Sequence, residues 1–245
     1  MSEMAKKPKT GAVFRGQKGI IDVRSEESSS LLQWTSDPDK WTIRDVAAGQ
    51  AIFRQGGQPK CLFEIVSGTV KLSQVTEDGR QIILGFPSSG ELVGLTGGKE
   101  YRFAAETMTS SRLRLVRWTA FCRQLLQDRA AREKLLGWLD MQEKRTLDHI
   151  ALLTLQSPLS KVATFLLGRI SQHKRGSANH VAVDLPMTQR DIANYLEITA
   201  ETCSRTMRRL REDAVIAAPN RSGDRKSLNI LDRKRLEDLV NASIL

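Results

Sequence analysis

The chain has 245 residues, 40% of them apolar, and a formal net charge of +10, enough length for one or two packed domains and the sign that suits an anionic partner. No apolar run approaches a membrane span, and the N-terminus lacks the apolar core of a signal peptide, so a membrane protein is excluded. Three well-separated cysteines, Cys61, Cys122 and Cys203, exclude a disulfide scaffold and imply a reducing, cytoplasmic setting.

Residues 1–40 are poor in aromatics and rich in Lys, Ser and Gly, with the run Ser28-Ser29-Ser30; this composition predicts a flexible N-terminal arm. From 41 to 128 short apolar runs alternate with turn signals: Ala51-Ile52-Phe53, Gly56-Gly57, Cys61 to Val66, Ser67-Gly68, Val70 to Val75, Glu77-Asp78-Gly79 and Ile82 to Phe86. Such spacing predicts a small antiparallel barrel or sandwich, a sensor-like β-barrel domain being the expected form, with Gly79 in the left-handed position of a hairpin turn.

Strand texture then gives way to helix. Over 129–156, Leu135, Leu136, Leu139, Leu147, Ile150 and Leu153 recur at helical spacing. At 1.5 Å per residue this helix is about 40 Å long, more than the barrel covers, so part of its apolar stripe needs a partner. The predicted partner is the same helix of a second subunit, met through Leu135, Leu139, Leu147 and Ile150. Ser157-Pro158 interrupts the helix, and a further one is expected from Leu159 to Gln172.

Within 157–245, the stretch from Thr188 to Leu210 has the pattern of a helix-turn-helix. Ile192, Leu196, Ile198, Cys203, Met207 and Leu210 fall where two short crossed helices share a core. Thr188 and Thr199 occupy N-cap positions, and Asp191 completes a capping-box-like pair with Thr188. The turn carries Glu197 where glycine is usual, at a cost of about 1 kcal/mol if φ is positive there. Glu201, Ser204 and Arg205 share the outer face of the second helix, and they are types that reach base edges. Thr188, Gln189, Arg190, Thr199, Ala200, Thr202, Arg208 and Arg209 complete the predicted contact surface on double-stranded DNA. Beyond it, Ala214-Val215-Ile216 and Leu228-Asn229-Ile230 flank a polar loop, predicting a two-stranded wing with Arg221, Arg225 and Lys226 set to touch phosphate.

Barrel, long helix, break and winged helix-turn-helix, with Gly90-Glu91-Leu92-Val93-Gly94 and Leu196 to Arg205 as their most specific parts, resemble the Crp–Fnr family of bacterial transcription regulators. The resemblance covers about residues 42–240. It implies an α+β chain, in which an N-terminal cyclic-nucleotide-binding-like barrel and a dimerisation helix precede the winged helix-turn-helix. It also implies a homodimer on an inverted repeat that recruits RNA polymerase. Glu201, Ser204 and Arg205 match the trio with which the Fnr and FixK branches read TTGAT half-sites; Ala200 stands where the Crp branch usually has Arg.

Cyclic-nucleotide-binding relatives hold the ribose and phosphate with a Glu after the Gly94 position and a later Arg-Ser or Arg-Thr pair. Here Leu95 and Tyr101-Arg102 stand there, and an apolar residue accepts no ribose hydroxyl. The chain has no cysteine before Cys61 to hold the iron–sulfur cluster of oxygen-sensing relatives, and His149, His173 and His180 all lie outside the barrel. The expectation is a FixK-like regulator that needs no cofactor and no metal and acts without a ligand. The competing reading is an allosteric sensor of haem, nitric oxide or an anion. No catalytic motif favours an enzyme.

Overall fold

The computed structural model describes residues 41–172, 176–177, 180–218 and 227–242; the arm predicted over 1–40 lies outside them. Eight strands build the N-terminal part: β1 (Thr42–Val46), β2 (Ala51–Phe53), β3 (Cys61–Ser67), β4 (Val70–Val75), β5 (Gln81–Gly85), β6 (Leu92–Val93), β7 (Ala104–Thr107) and β8 (Ser111–Arg117). They form two four-stranded antiparallel sheets, ordered β1-β8-β3-β6 and β2-β7-β4-β5. The expected closed barrel is therefore corrected to a sandwich. Among the described residues the strand hydrogen bonds end at β1 and β6 in one sheet and at β2 and β5 in the other, so neither ladder continues around. Inward residues of both sheets, Phe53, Phe63, Ile65, Val70, Leu113 and Leu115, meet in the core between them. The Glu77-Asp78-Gly79 turn joins β4 to β5 with Gly79 at φ +79°, as its sequence predicts.

Helix α1 (Trp118–Gln127) leads through Asp128, which caps the next helix by accepting from the Ala131 amide, into α2 (Arg129–Thr154). At 26 residues α2 is about 39 Å long. It has two apolar seams rather than one. Ala131, Leu135, Trp138 and Leu152 face the chain's own core, whereas Leu136, Leu139, Leu147 and Ile150 are exposed. Leu135, expected at a subunit contact, is instead turned toward the sandwich.

The Gly90-to-Gly94 motif ties the sandwich to α2. Glu91 accepts from the Ser88 amide at 2.6 Å and pairs with Arg145 of α2. Gly94 sits at φ +91°, and a Cβ there would come within 3.2 Å of the Cys61 carbonyl and the Phe63 ring. The positive φ strains any side-chain-bearing residue there, and the close approach leaves a Cβ little room.

Helix α3 (Pro158–Gln172) starts with proline at its first position, where the missing amide hydrogen costs nothing. The C-terminal part then runs β9 (Gly176–Ser177), β10 (His180–Asp184), α4 (Gln189–Tyr195), α5 (Ala200–Glu212), β11 (Ile216–Ala217), β12 (Ser227–Ile230) and α6 (Arg233–Asn241). Its sheet is four-stranded, in the order β11-β12-β10-β9, so the expected two-stranded wing is extended by β10 and β9. The wing loop over 219–226, with Arg221, Arg225 and Lys226, lies outside the described residues.

Ala214, expected in a wing strand, belongs to the end of α5. The Ala214 amide donates to the Arg211 carbonyl and the Val215 amide to the Leu210 carbonyl, which is the Schellman arrangement, with Ala214 at φ +53°. Strand pairing begins only at Ile216. Because Ala214 is exposed, Ala214→Gly is expected to raise the thermal midpoint. Relief of the left-handed clash, about 1–2 kcal/mol, exceeds the roughly 0.4–1 kcal/mol entropic cost of glycine. Differential scanning calorimetry checks this; a lowered midpoint would refute it.

Candidate nucleic-acid interface

Each helix of the reader starts as its sequence predicts. The Thr188 hydroxyl accepts from the Asp191 amide at 3.0 Å while an Asp191 carboxylate oxygen accepts from the Thr188 amide at 3.1 Å, a complete capping box. Thr199 caps α5 by accepting from the Thr202 amide at 3.0 Å. Between them, the Glu197 amide donates to Asn194 and the Ile198 amide to Ala193, with Glu197 at φ +50°. The unusual turn residue keeps the ordinary turn geometry and bears its strain.

Cys203, Thr206, Met207 and Leu210 are buried against Ile192, Ala193 and Leu196. Burial pushes the Cys203 thiol up to about 11, so at neutral pH it stays protonated and unreactive. The face opposite this core carries Glu201, Ser204, Arg205 and Arg208. Glu201 and Arg205 are loosely paired at 3.7 Å, with side chains 78% and 66% exposed. Thr188, Gln189, Arg190, Thr199, Ala200, Arg208 and Arg209 are exposed, and Thr202 and Ser204 are half-buried beside them. The acidic Glu201 in the first turn of α5 and the basic Arg209 and Arg211 in the last complement the helix dipole.

The sequence did not disclose what holds this reader against the rest of the chain. The His149 ring of α2 stacks on Tyr195 at the end of α4, with centroids 4.1 Å apart and planes 6° off parallel, and its Nε2 lies 3.0 Å from the Tyr195 carbonyl. Phe86 and Phe165 flank the same ring, at 5.4 and 5.8 Å. Burial pushes the Tyr195 hydroxyl up to about 12 and lowers the His149 pKa, although the Tyr195 carbonyl and Glu197 oppose the latter shift. Two ion pairs add to the contact, Lys71 to Asp191 at 3.5 Å and Arg80 to Glu197 at 3.8 Å.

In the sandwich, Tyr101 is buried, stacked on Phe53 at 4.0 Å, and its hydroxyl donates to the Cys61 carbonyl at 2.9 Å. Leu95 packs beside Leu62, Leu92 and Trp118, and Arg102 is exposed. Among the described residues no cluster of His, Cys, Asp or Glu has the arrangement of a metal site, and no helix is long and apolar enough to cross a membrane.

Comparison with known proteins agrees with this architecture. Residues 160–239 match the Crp-like helix-turn-helix domain, and residues 43–128 match the cyclic nucleotide-binding domain. The chain is 33% identical to the nitrogen fixation regulation protein FixK of Azorhizobium caulinodans over 196 residues, 76% of this chain and 77% of that protein. It is 28% identical to FixK of Rhizobium meliloti, covering 79% and 84% of the two chains. The solved structure of FixK2 from Bradyrhizobium japonicum superposes with a TM-score of 0.72 at 27% identity, over 81% of this chain and 96% of the other. A capped reader with Glu201, Ser204 and Arg205 on its outer face, behind a sandwich and a long helix, thus has both the sequence and the shape of these regulators. The chain belongs to the Crp–Fnr family of DNA-binding transcription regulators, on its FixK branch.

Proposed function

We propose that this regulator acts in the cytoplasm as a homodimer on a TTGAT-type inverted repeat, recruits RNA polymerase, and reaches its DNA-binding state without an effector. The observation that carries the reading is the outer face of α5, where Glu201 and Arg205 are exposed and Ser204 is half-buried between them. Arg205 suits a bidentate contact to the O6 and N7 of guanine, and Glu201 suits acceptance from a cytosine or adenine amino group. Thr188, Gln189, Arg190, Thr199, Ala200, Thr202, Arg208 and Arg209 border that face and suit the phosphates, joined by Arg221 of the wing. The exposed α2 seam supports the dimer, because two copies related by a two-fold axis would each cover the other's Leu136, Leu139, Leu147 and Ile150.

Independence of an effector is supported by two packed side chains, Tyr101 between the sheets and Leu95 on the side of the sandwich that faces α1 and α2. Tyr101 and Leu95 occupy the region where a nucleotide-binding relative presents polar groups, and both are engaged in packing. A ligand shifts a conformational equilibrium only by its differential affinity for the two states, so a domain without means of tight binding has no lever.

The test is a binding isotherm on metal-free protein with a TTGAT palindrome, repeated with cyclic AMP and with haem. Specific binding in the nanomolar range at moderate salt is expected in all three, typical of specific readers. A large gain in affinity on adding either compound would replace this reading with the sensor one.

A further inference from the structure

The chain between dimer helix and reader is a joint. Leu155, just past α2, is extended at φ −60° and ψ 130°, and α3 starts only at Pro158. A connection of this kind leaves rotation about it free unless other contacts remove that freedom. In this structure they do, from two sides. From α2, His149 stacks on Tyr195 and bonds its carbonyl. From the sandwich, Phe86 packs on the same ring, and Arg169 of α3 donates to the Phe86 carbonyl at 3.3 Å. Lys71 of β4 reaches Asp191 with both side chains only 14% exposed, and Arg80 of the β4–β5 turn adds a weaker, largely exposed contact to Glu197 at 3.8 Å. Apart from the Arg169 contact, which lands on α3, these contacts land on α4 or the turn after it, and the face of α5 with Glu201 and Arg205 is left open.

We infer that His149, Lys71 and Arg80 are positioning residues that set the angle between dimer helix and reader, and so determine which half-site spacing the protein accepts. The inference rests on the proposed dimer and its inverted repeat. Its physics is geometric: one extra base pair between half-sites moves the second by about 3.4 Å and turns it by roughly 35° about the duplex. A reader clamped at Tyr195, Asp191 and Glu197 cannot follow that rotation without breaking the clamp. A reader held only by the joint can follow it, but it occupies the productive angle for a smaller fraction of the time and binds more weakly in proportion. None of the three residues lies on the outer face of α5, so the bases chosen within each half-site are unaffected.

The experiment measures affinity of the full chain for TTGAT palindromes whose spacer is varied by one or two base pairs, for a single half-site, and for palindromes with altered bases. Three proteins are compared: wild type, His149→Ala, and the double variant Lys71→Gln with Arg80→Gln. The double variant keeps the Tyr195 packing and guards against a folding defect in His149→Ala. Wild type is expected to lose roughly tenfold per base pair of spacer change, and each variant threefold or less about a weaker optimum. Affinity for the single half-site falls equally for every sequence, if at all, and base preference stays the same. Variants that keep the wild-type spacing profile, or that change base preference, would overturn the inference and leave the dimer standing. A wild type that binds palindrome and single half-site alike would overturn the dimer reading, and the inference with it.

Discussion

Arg205→Ala is expected to weaken binding to a TTGAT palindrome by roughly 1–3 kcal/mol per half-site and to blur the choice of base at the guanine it addresses. The cost should fall on recognition and not on folding. Arg205 is two-thirds exposed, its partner Glu201 is more so, and an exposed pair at 3.7 Å adds little to stability. Arg208, one turn further on and also exposed, serves as the contrast. Arg208→Ala should weaken all sequences about equally and make the salt slope shallower by about one, the signature of a lost phosphate contact. Titrations of both variants against a panel of single-base half-site changes separate the two roles. Unchanged sequence preference in Arg205→Ala would refute the assignment.

The second large effect is expected at α2. Leu139 and Leu147 are 43% and 59% exposed in the single chain, so aspartate at either position meets water and costs the isolated fold little. In a dimer seam the same carboxylate is pressed into apolar contact, at a cost of several kcal/mol unless it escapes. Leu139→Asp and Leu147→Asp should therefore sediment as folded monomers in analytical ultracentrifugation and lose palindrome binding while keeping weak half-site binding. Trp138→Asp provides the internal control. Trp138 packs on the sandwich of its own chain, so that change should unfold the molecule locally instead of dissociating it. A Leu147→Asp protein that remains dimeric would move the subunit contact elsewhere.

How the chain encodes this design differs from part to part. The reader was evident from residues alone because its signals are local. Thr188, Asp191 and Thr199 cap helices within three residues of themselves, and Ile192, Leu196, Cys203 and Met207 mark a helical period within two turns. That the turn at Glu197 is either strained or differently shaped was evident for the same reason, and the structure, with φ +50°, decides for strain. Ala214 has the same conformation and was missed, because Ala214-Val215-Ile216 carries an equally good strand pattern and only the docking of α5 decided between them.

Sequence by itself thus determined the capped helices, the long α2, most of the central strands and the residue types on the outer face of α5, all properties of short windows. Tertiary structure decided what depends on distant partners. Thr42 pairs with Leu115 within one sheet, and among the described residues no pairing continues beyond β1 and β6, which makes two sheets where strand spacing alone leaves barrel and sandwich both open. The apolar period of α2 cannot tell which of two seams faces inward; contact with Leu62 and Phe121 turned Leu135 toward the sandwich and left Leu136 outside. The clamp on the reader joins His149 to Tyr195 and Lys71 to Asp191, 46 and 120 residues apart. No local pattern records such pairs, because their energy is gained only after the chain has closed the loops that bring them together.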